Sequence, residues 1–517
     1  MLDSTRSLVA GNLRDADGSR VRLAIFGLLI ACIGFAVRAY DIGQQSLWSD
    51  ELFSRYYADL FGLKFLWTTG LYGEDSPPLY YMAIAGWMRL FGTSEAALRS
   101  LSLVASLLAL PLVYLIGKEV LDERRGLIAA LIFALSPMQV SFAQEARTYA
   151  LLLLPISGAL LAIAWFLRGD MRQRVLLLYG ISAVVAIYCH ATASFFIASC
   201  NLAVVAAIAS NRRIDRRAAF LRWVVANALV ALAALPEVAA MAHEGSTGNG
   251  IRWIPPFSPI DLVRALSPVI VGTATPDRFP GAELSCLVLA GVAAVFIAHT
   301  AGRRVSIVLV AIPALFIALI AVASLERPIF IARVFCWLGI PLSLLLADAM
   351  AVRTRVRPLL IVAAVAACLT GLAYQFANPQ KEPWREVFDD IGPQLARADR
   401  IVLAPMTDPT PFAYYAPYLT HLQIWDAGPH GNIENDELPE RMGVERITRE
   451  QLAGYINAGE DVWLILRTPD MPYVRSLLTN VPPPRLGTER FCGKVVCIAA
   501  LSWPRSASGR ATAGNER

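Results

Sequence analysis

The sequence predicts a polytopic α-helical membrane protein that ends in a separate α/β domain. Three observations predict this class: eleven long apolar stretches, a low content of charged residues, and basic clusters in alternate connections. Of the 517 residues, 56% are hydrophobic and 17% are charged, whereas ordinary soluble domains contain about 25% charged residues. This composition argues against a soluble enzyme.

The apolar stretches are each close to the length of about 20 helical residues that a hydrocarbon core of about 30 Å requires. We place them at 22–37, 95–117, 126–143, 146–167, 174–189, 191–210, 219–241, 284–301, 304–324, 329–350 and 357–376. Residues 1–21 are then a cytoplasmic tail, and 22–376 is the transmembrane domain. No repeat of fixed period is visible.

Arginine and lysine residues orient these predicted spans, because connections that stay in the cytoplasm are enriched in both. Basic clusters follow every second span, at 118–125, 168–174, 212–222, 303–304 and 353–357. With eleven crossings, all of them lie on the side of the basic N-terminus. The net charge of +5 comes from these short clusters, so we expect membrane lipids and no nucleic acid as partners.

The first outer loop, 38–94, contains the apolar segment 77–91, which we interpret as an interfacial helix. Fifteen residues rise only about 22 Å, the segment includes Arg89, and its tyrosines and Trp87 suit the headgroup level. A short, tilted span is the alternative. It would move every basic cluster to the outside, which the positive-inside rule disfavours. The second large outer loop is 242–283.

Composition changes after the last span, and residues 377–505 are predicted to form an extracytoplasmic α/β domain, followed by a disordered tail at 506–517. The predicted elements are helices at 384–398, 449–458 and 473–480, strands at 401–404 and 462–466, and a strand pair around 495–501. Cys492 and Cys497 form either a disulfide that closes a tight turn or two free thiols on a strand.

Charged residues at the outer ends of the spans are the candidates for chemistry, because a charge near lipid is costly and seldom kept without a role. Asp50 and Glu51 come soon after the first span, and Glu74, Asp75 and Tyr80 lead into the interfacial helix. The alternative for Asp50 and Glu51 is a helix start, where acidic residues are favoured by the dipole.

Further candidates follow in the other outer connections. Glu145, Arg147 and Tyr149 lie in a short connection, where an ion pair within a hairpin is the alternative to binding an anionic headgroup. For His190 the alternative is a hydrogen-bonded turn. The remaining candidates are Arg252 and Trp253 in the second large loop and Arg333 inside the tenth span.

Carboxylates and arginines gathered on one face suit attack by a hydroxyl group on a substrate with a phosphate leaving group. An aspartate takes the proton, and guanidinium groups neutralise the departing charge. The sequence has no zinc-ligand pattern, GxSxG elbow or phosphate-binding P-loop. Asp50, Glu51 and Glu145 are candidate ligands for magnesium or manganese, although arginines alone could do the same work.

Several segments together resemble the GT-C fold membrane glycosyltransferases, and within them the protein O-mannosyltransferase and aminoarabinose transferase group (glycosyltransferase family 39-like). The segments are WSDE, EDSPPLYY, GTSEAALR, LSPMQVSFAQEARTYALLLL, IRWIPP and PIFIARVF. The resemblance covers roughly residues 20–380. The C-terminal domain carries no motif that matches.

The resemblance implies an inverting transfer of a hexose or pentose from a polyprenyl phosphate to a hydroxyl group of a protein, lipid or cell-envelope glycan. It implies a bacterial inner-membrane protein whose active site lies on the periplasmic or extracellular side. Asp50 would be the base and Glu51 its orienting neighbour. Arg147 and Arg333 would contact the carrier phosphate or donor, and the pocket would be completed by Glu145, Tyr149, Glu74 and Asp75.

The sequence departs from the family pattern at two positions. Val334 stands where an aromatic residue is common, and Asp75 stands where the aminoarabinose transferases carry a lysine. The donor sugar is therefore left open. Two other classes share the general pattern: a glycan ligase or polymerase that uses lipid-diphosphate oligosaccharides, and a lipid-linked glycan transporter, which would need polar residues near the middle of its spans.

Overall fold

The structure, a computed structural model, is described for most of the chain. The described residues are 2–60, 77–211, 214–247, 254–272, 282–300, 304–351, 355, 357–378, 381–404, 407–419, 421–425, 439, 442–467, 482–484, 486–492 and 496–505.

The first part of the chain is a bundle of helices. They are α1 (Leu2–Ala39), α2 (Ser49–Leu60), α3 (Leu79–Phe91), α4 (Glu95–Val120), α5 (Glu123–Leu135), α6 (Pro137–Ala143), α7 (Thr148–Leu167), α8 (Gln173–Cys189), α9 (Ala193–Ser210), α10 (Arg216–Thr247), α11 (Ile260–Leu266), α12 (Pro268–Val271), α13 (Ala282–Thr300), α14 (Arg304–Ala323), a 3₁₀ segment (Ala332–Leu338), α15 (Gly339–Ala351) and α16 (Arg357–Ala377). The protein is a multi-pass, α-helical membrane protein.

Each of the eleven predicted spans falls on a helix. Within the described residues, seven helices are long and apolar enough to cross a membrane, and the bent pair α5–α6 makes eight. Three shorter apolar helices, Gln173–Cys189, Val288–Thr300 and Leu309–Ala323, occupy the other predicted positions. The count of eleven crossings stays a prediction. Helix α1 begins at Leu2, well before the predicted start, so the N-terminal tail is helical.

A break of 60° separates α5 from α6. Pro137 is the first residue of α6, and since it has no amide hydrogen, it leaves a carbonyl of the preceding turn without its helical partner. The buried guanidinium of Arg38 replaces part of what is lost, because it donates to the carbonyl oxygens of Ala134 (2.7 Å) and Phe133 (3.3 Å). The end of α1 therefore supports the break.

Helices α2 and α3 lie together at one end of the bundle. The rings of Tyr57 in α2 and Tyr81 in α3 are 4.8 Å apart, and the indole of Trp87 donates to the carbonyl of Ala97 in the first turn of α4 (3.1 Å). Helix α3 has only 13 residues. Its length of about 20 Å is shorter than the hydrocarbon core of about 30 Å, and its interfacial position stays a prediction.

The described residues of the C-terminal part form a six-stranded sheet flanked by helices. Its elements are α17 (Trp384–Leu395), β1 (Arg400–Leu403), α18 (Thr410–Tyr415), β2 (Leu422–Trp425), β3 (Glu445–Ile447), α19 (Arg449–Asn457), β4 (Val462–Arg467), β5 (Leu486–Cys492) and β6 (Cys497–Trp503). The strand order is β3-β2-β1-β4-β6-β5, with β1 to β4 parallel to one another, β6 antiparallel to β4, and β5 antiparallel to β6.

This sheet confirms the predicted α/β class. The predicted strands at 401–404 and 462–466 are its central pair, in which Val402 lies beside Leu464. Sequence analysis missed α18, β2 and β3, whereas its helix at 473–480 and tail at 506–517 lie outside the described residues. Cys492 and Cys497 form a disulfide across the β5–β6 hairpin, which settles the alternative left open by the sequence.

Candidate active site

Connections that are far apart in the chain meet at one end of the bundle, which we call the Asp50 end. Asp50 follows the first span, and its carboxylate lies 4.0 Å from the guanidinium of Arg147, which follows the third span. It lies 3.1 Å from Arg333, which enters the tenth. The hydroxyl of Thr148 donates to the carbonyl of Cys189 at the end of the fifth span (2.8 Å). The sequence-based ordering of the spans predicts this convergence.

Asp50 lies in the first turn of α2, which begins at Ser49. The sequence alternative of a helix start is therefore correct, and it does not exclude chemistry, because the carboxylate points to the two arginines. The side chain of Asp50 is 32% exposed, and those of Arg333 and Arg147 are 26% and 14% exposed. A small molecule can reach this group of three charges.

Arg147 is fixed on the side away from the carboxylate. Its Nη1 donates to the backbone carbonyl of Asp50 (3.3 Å) and to the hydroxyl of Ser54 one helical turn later (3.1 Å). Ser54 in turn donates to the carbonyl of Asp50 (2.9 Å). The guanidinium is thus held against the start of α2, and its position relative to Asp50 is preorganised.

Glu51 lies in a different environment from Asp50. Its carboxylate is fully buried and accepts hydrogen bonds from Arg99 Nε (2.8 Å), Arg99 Nη2 (2.7 Å) and the Ala146 amide (2.8 Å). Burial alone would raise its pKa, but the charges of Arg99 and Lys381 outweigh burial and lower the pKa of Glu51 to about 2. Glu51 therefore joins α2 to α4 and to the Glu145 connection, and it does not face the exposed carboxylate of Asp50.

Glu145 lies beside this pair. The ammonium of Lys381, from the segment after the last transmembrane helix, is 3.7 Å from the Glu145 carboxylate and 4.0 Å from that of Glu51. Burial raises the pKa of Glu145, and the nearby Lys381 charge opposes this shift. The structure therefore supports an ion pair within the protein for Glu145, with Lys381 as the partner in place of Arg147.

Three other predicted residues form the wall behind the arginines. Tyr149 is buried, and its ring lies 5.8 Å from the ring of His190. Nδ1 of His190 accepts from the Thr192 amide (3.2 Å), so His190 is the hydrogen-bonded turn residue of the alternative interpretation. Burial, together with the charges of Arg333 and Arg147, lowers its pKa to about 4. Tyr80 is also buried, and burial raises its pKa well above 10.

Four predicted pocket residues, Glu74, Asp75, Arg252 and Trp253, lie outside the described residues. In the described part of the chain, no group of three His, Cys, Asp or Glu residues could hold a metal ion. Asp50, Glu51 and Glu145 are each paired with a basic side chain instead, so these three do not fit a divalent-cation site. The involvement of magnesium or manganese stays a prediction.

Sequence analysis did not single out three residues that build the site. Arg99 is 2% exposed and forms an ion pair with Glu51. It could have been found as a charged residue inside a predicted span. Lys381 and Glu382 directly follow the last span, and both contact the region around Asp50. Two adjacent charged residues after the last span could have indicated Lys381 and Glu382, but charged residues are also common where a helix ends in water.

Comparison with solved structures identifies the architecture. ArnT from Cupriavidus metallidurans, solved with bound undecaprenyl phosphate, matches with a TM-score of 0.56 at 14% identity over 92% of this chain and 97% of that one. The oligosaccharyltransferase of Archaeoglobus fulgidus in its apo form matches with a TM-score of 0.51 at 13% identity, over 89% and 71% of the two chains. This chain has the GT-C fold.

The sequence comparison agrees with the GT-C fold. A family model described as dolichyl-phosphate-mannose-protein mannosyltransferase matches residues 75–236, from the segment before α3 to α10. No curated protein matches the sequence. The resemblance noted from the sequence is therefore confirmed: the chain has the fold of GT-C glycosyltransferases.

Proposed function

We propose that this protein is an inverting glycosyltransferase that moves a sugar from a polyprenyl phosphate to a hydroxyl acceptor at the outer face of a bacterial inner membrane. The observation that carries the proposal is the partly exposed Asp50 carboxylate, 3.1 Å from Arg333 and 4.0 Å from Arg147. In this proposal Asp50 is the base, and Arg147 and Arg333 are the ligands of the phosphate. The GT-C fold and the lipid phosphate bound by ArnT support this assignment.

The proposed reaction uses each of these groups once. The acceptor hydroxyl attacks the anomeric carbon of the sugar while its proton passes to Asp50. The bond between that carbon and the phosphate oxygen breaks, and polyprenyl phosphate leaves with one more negative charge than it had as a diester. Arg147 and Arg333 stabilise this charge as it develops, which is where such contacts contribute most to rate.

Local charge favours a phosphate diester as donor. Around Asp50, the described side chains carry one carboxylate and two guanidinium groups, while Glu51 is paired with Arg99 and Glu145 with Lys381. One excess positive charge matches the single negative charge of a polyprenyl-phosphate sugar. A lipid diphosphate, the donor of a ligase or polymerase, would bring more negative charge than these side chains neutralise.

The decisive experiment is a transfer assay on the full-length protein in membranes. Radiolabelled polyprenyl-phosphate mannose and polyprenyl-phosphate pentose are the two donor probes, and mass spectrometry of the lipid that copurifies identifies the natural sugar. Asp50→Asn should abolish transfer with the protein still folded, whereas Asp389→Asn, at an exposed carboxylate of α17, should leave it unchanged. Normal transfer by Asp50→Asn would remove Asp50 as the base.

Two variations of this assay test the remaining alternatives. Because arginines provide the positive charge, transfer is expected to continue in a chelator; a loss that magnesium or manganese restores would establish a metal. Replacement of the donor by a lipid-diphosphate oligosaccharide tests the ligase or polymerase. A preference for that donor would overturn the proposal. The acceptor, whether protein, lipid or glycan, is open to the same assay with each class supplied in turn.

A further inference from the structure

The segment between the last transmembrane helix and α17 lies directly on the start of α2. Glu382 in this segment is buried, and its Oε2 accepts from the hydroxyl of Ser49 (2.7 Å), the amide of Ser49 (3.2 Å) and the indole of Trp384 (2.7 Å). Ser49 is the first residue of α2 and immediately precedes Asp50. A residue 333 positions later in the chain therefore contacts the helix start that carries the proposed base.

The contact is the kind that stabilises a helix start. The first amide groups of a helix have no partner within it, and the positive end of the helix dipole favours a carboxylate at that point. A side chain of the flanking segment usually supplies this carboxylate or hydroxyl. In α2, Glu382 supplies it from the C-terminal part of the chain, so the orientation of the first turn depends on where Glu382 is held.

The sheet holds Glu382. Arg467, the last residue of β4, places its Nη2 2.6 Å from Glu382 Oε1. Since the side chain of Glu382 is only 3% exposed, water screens this pair little. A continuous path of contacts thus runs from the central strand β4 through Arg467 and Glu382 to Ser49 and the adjacent Asp50.

Neighbouring contacts hold the loop before α2 in the same way. The Leu47 amide donates to the hydroxyl of Tyr415 in α18 (2.7 Å), and the Arg385 amide donates to the hydroxyl of Ser46 (3.0 Å). The Lys381 amide donates to the side chain of Gln45 (3.0 Å). The α/β domain therefore contacts the chain at successive residues up to the start of α2.

We propose that Glu382 is a positioning residue that fixes α2 so that Asp50 faces Arg333 and Arg147, and that the α/β domain is in this way a part of the active site. The inference rests on the proposed function for its effect on transfer. Its structural half, control of the helix start by Glu382, does not depend on the reaction.

Hydrogen–deuterium exchange of the full-length protein in nanodiscs tests the structural half. Glu382→Ala should increase exchange in the peptide covering 44–60, because the amide and hydroxyl of Ser49 at the start of α2 lose their acceptor. The matched control is Glu460→Ala. Glu460 is a carboxylate of the same domain, but it accepts from Arg400 (2.8 Å) and not from α2. Equal exchange of 44–60 in Glu382→Ala and wild type would overturn the inference, whether or not the protein transfers sugar.

Kinetics of the same variants test the catalytic half. Glu382→Ala should lower kcat by about 100-fold, the loss that a misplacement of about 1 Å can cause, while KM for the polyprenyl-phosphate donor stays near the wild-type value. Glu382→Gln should recover part of kcat, because its amide oxygen can still accept from Ser49. An unchanged kcat in both variants would overturn the inference. A wild type without transfer would contradict the proposed function instead, and exchange would still decide the role of Glu382.

Discussion

Asp50 and Glu51 show how adjacent side chains of one helix turn come to differ in role. Successive residues of an α-helix point about 100° apart, so only one of two neighbours can face a given cleft. Asp50 is 32% exposed beside Arg333, whereas Glu51 is fully buried against Arg99. The first therefore has the access that a base needs, and the second has the partners that a structural carboxylate needs.

Arg333 should contribute directly to carrier binding. Arg333→Ala removes a charge-assisted hydrogen bond worth about 1.5–3 kcal/mol, so undecaprenyl phosphate should bind about 10- to 100-fold more weakly, as measured by native mass spectrometry of the protein in nanodiscs. Arg333→Lys should have a smaller effect, because lysine keeps the charge without the planar fork.

The control for this measurement is Arg264→Ala, at an exposed arginine paired with Asp261, which should bind undecaprenyl phosphate as wild type does. Unchanged binding in both Arg333→Ala and Arg147→Ala would remove the assignment of these two residues to the phosphate.

Glu51 should control stability in acid. Its pKa is lowered from 4.5 to about 2 in the folded protein, so its stabilisation is complete above pH 4.5 and is lost as the pH falls towards 2. Glu51→Gln leaves the buried Arg99 without its counter-charge and should cost about 3–5 kcal/mol near neutral pH. The difference from wild type should shrink below pH 4.5.

Unfolding titrations in mixed detergent micelles at several pH values measure this difference. Glu119→Gln breaks the more exposed pair with Arg168 and should change the free energy of unfolding by at most about 1 kcal/mol. If Glu51→Gln lowers the free energy of unfolding no more than Glu119→Gln does, the buried pair does not stabilise the protein more than the exposed pair.

At the scale of elements, α4 and α5 approach closely because both carry a glycine at their contact. A methyl group at Gly126 would lie 2.7 Å from the carbonyl oxygen of Tyr114 and 2.9 Å from the amide nitrogen of Lys118. Both atoms belong to the backbone and cannot turn away. The two helices would have to separate, and the displacement would pass through α6 to the Glu145 connection, because α6 follows α5 directly after the break.

Gly126→Ala should therefore lower the free energy of unfolding in detergent by about 1–3 kcal/mol, the loss typical of overpacking. Transfer should fall as well. Gly291→Ala in α13 is the matched control, because a methyl group there meets nothing within 4 Å, and alanine favours a helix over glycine. A melting temperature for Gly126→Ala equal to that of Gly291→Ala would contradict the close contact.

Most of the elements could be predicted from the sequence, since long apolar runs, interfacial aromatic residues and alternating strands each leave a periodic pattern. The break before Pro137 was not predicted, because the apolar pattern continues through it. Strands β2 and β3 have only four and three residues, too few to show a period. Their pairing depends on neighbours that are distant in sequence.

The candidate site could be predicted only in part, for a similar reason. Asp50, Arg147 and Arg333 stand out as charges next to apolar runs, and topology alone places them at one end. Arg99 and Glu382 act through partners 48 and 333 positions away. A single sequence does not record such distances, so neither residue could be distinguished from a charge at a helix end.

For the whole molecule, the orientation in the membrane decides where the reaction takes place. In a variant without the six cysteines other than Cys492 and Cys497, Asp389→Cys on α17 should react with a membrane-impermeant maleimide in intact cells. Arg174→Cys, in the first turn of α8, should react only after the cells are permeabilised. Both positions are exposed. The reverse pattern would place the Asp50 end in the cytoplasm and exclude a periplasmic reaction.

The contact between Ser49 and Glu382 also bears on how the protein is made. The two residues are separated by 333 positions, and Arg467, which holds Glu382, comes later still. During synthesis, the start of α2 leaves the ribosome long before its acceptor exists. A nascent chain therefore cannot complete this arrangement, and the protein should become active only after the sheet has folded onto the finished membrane helices.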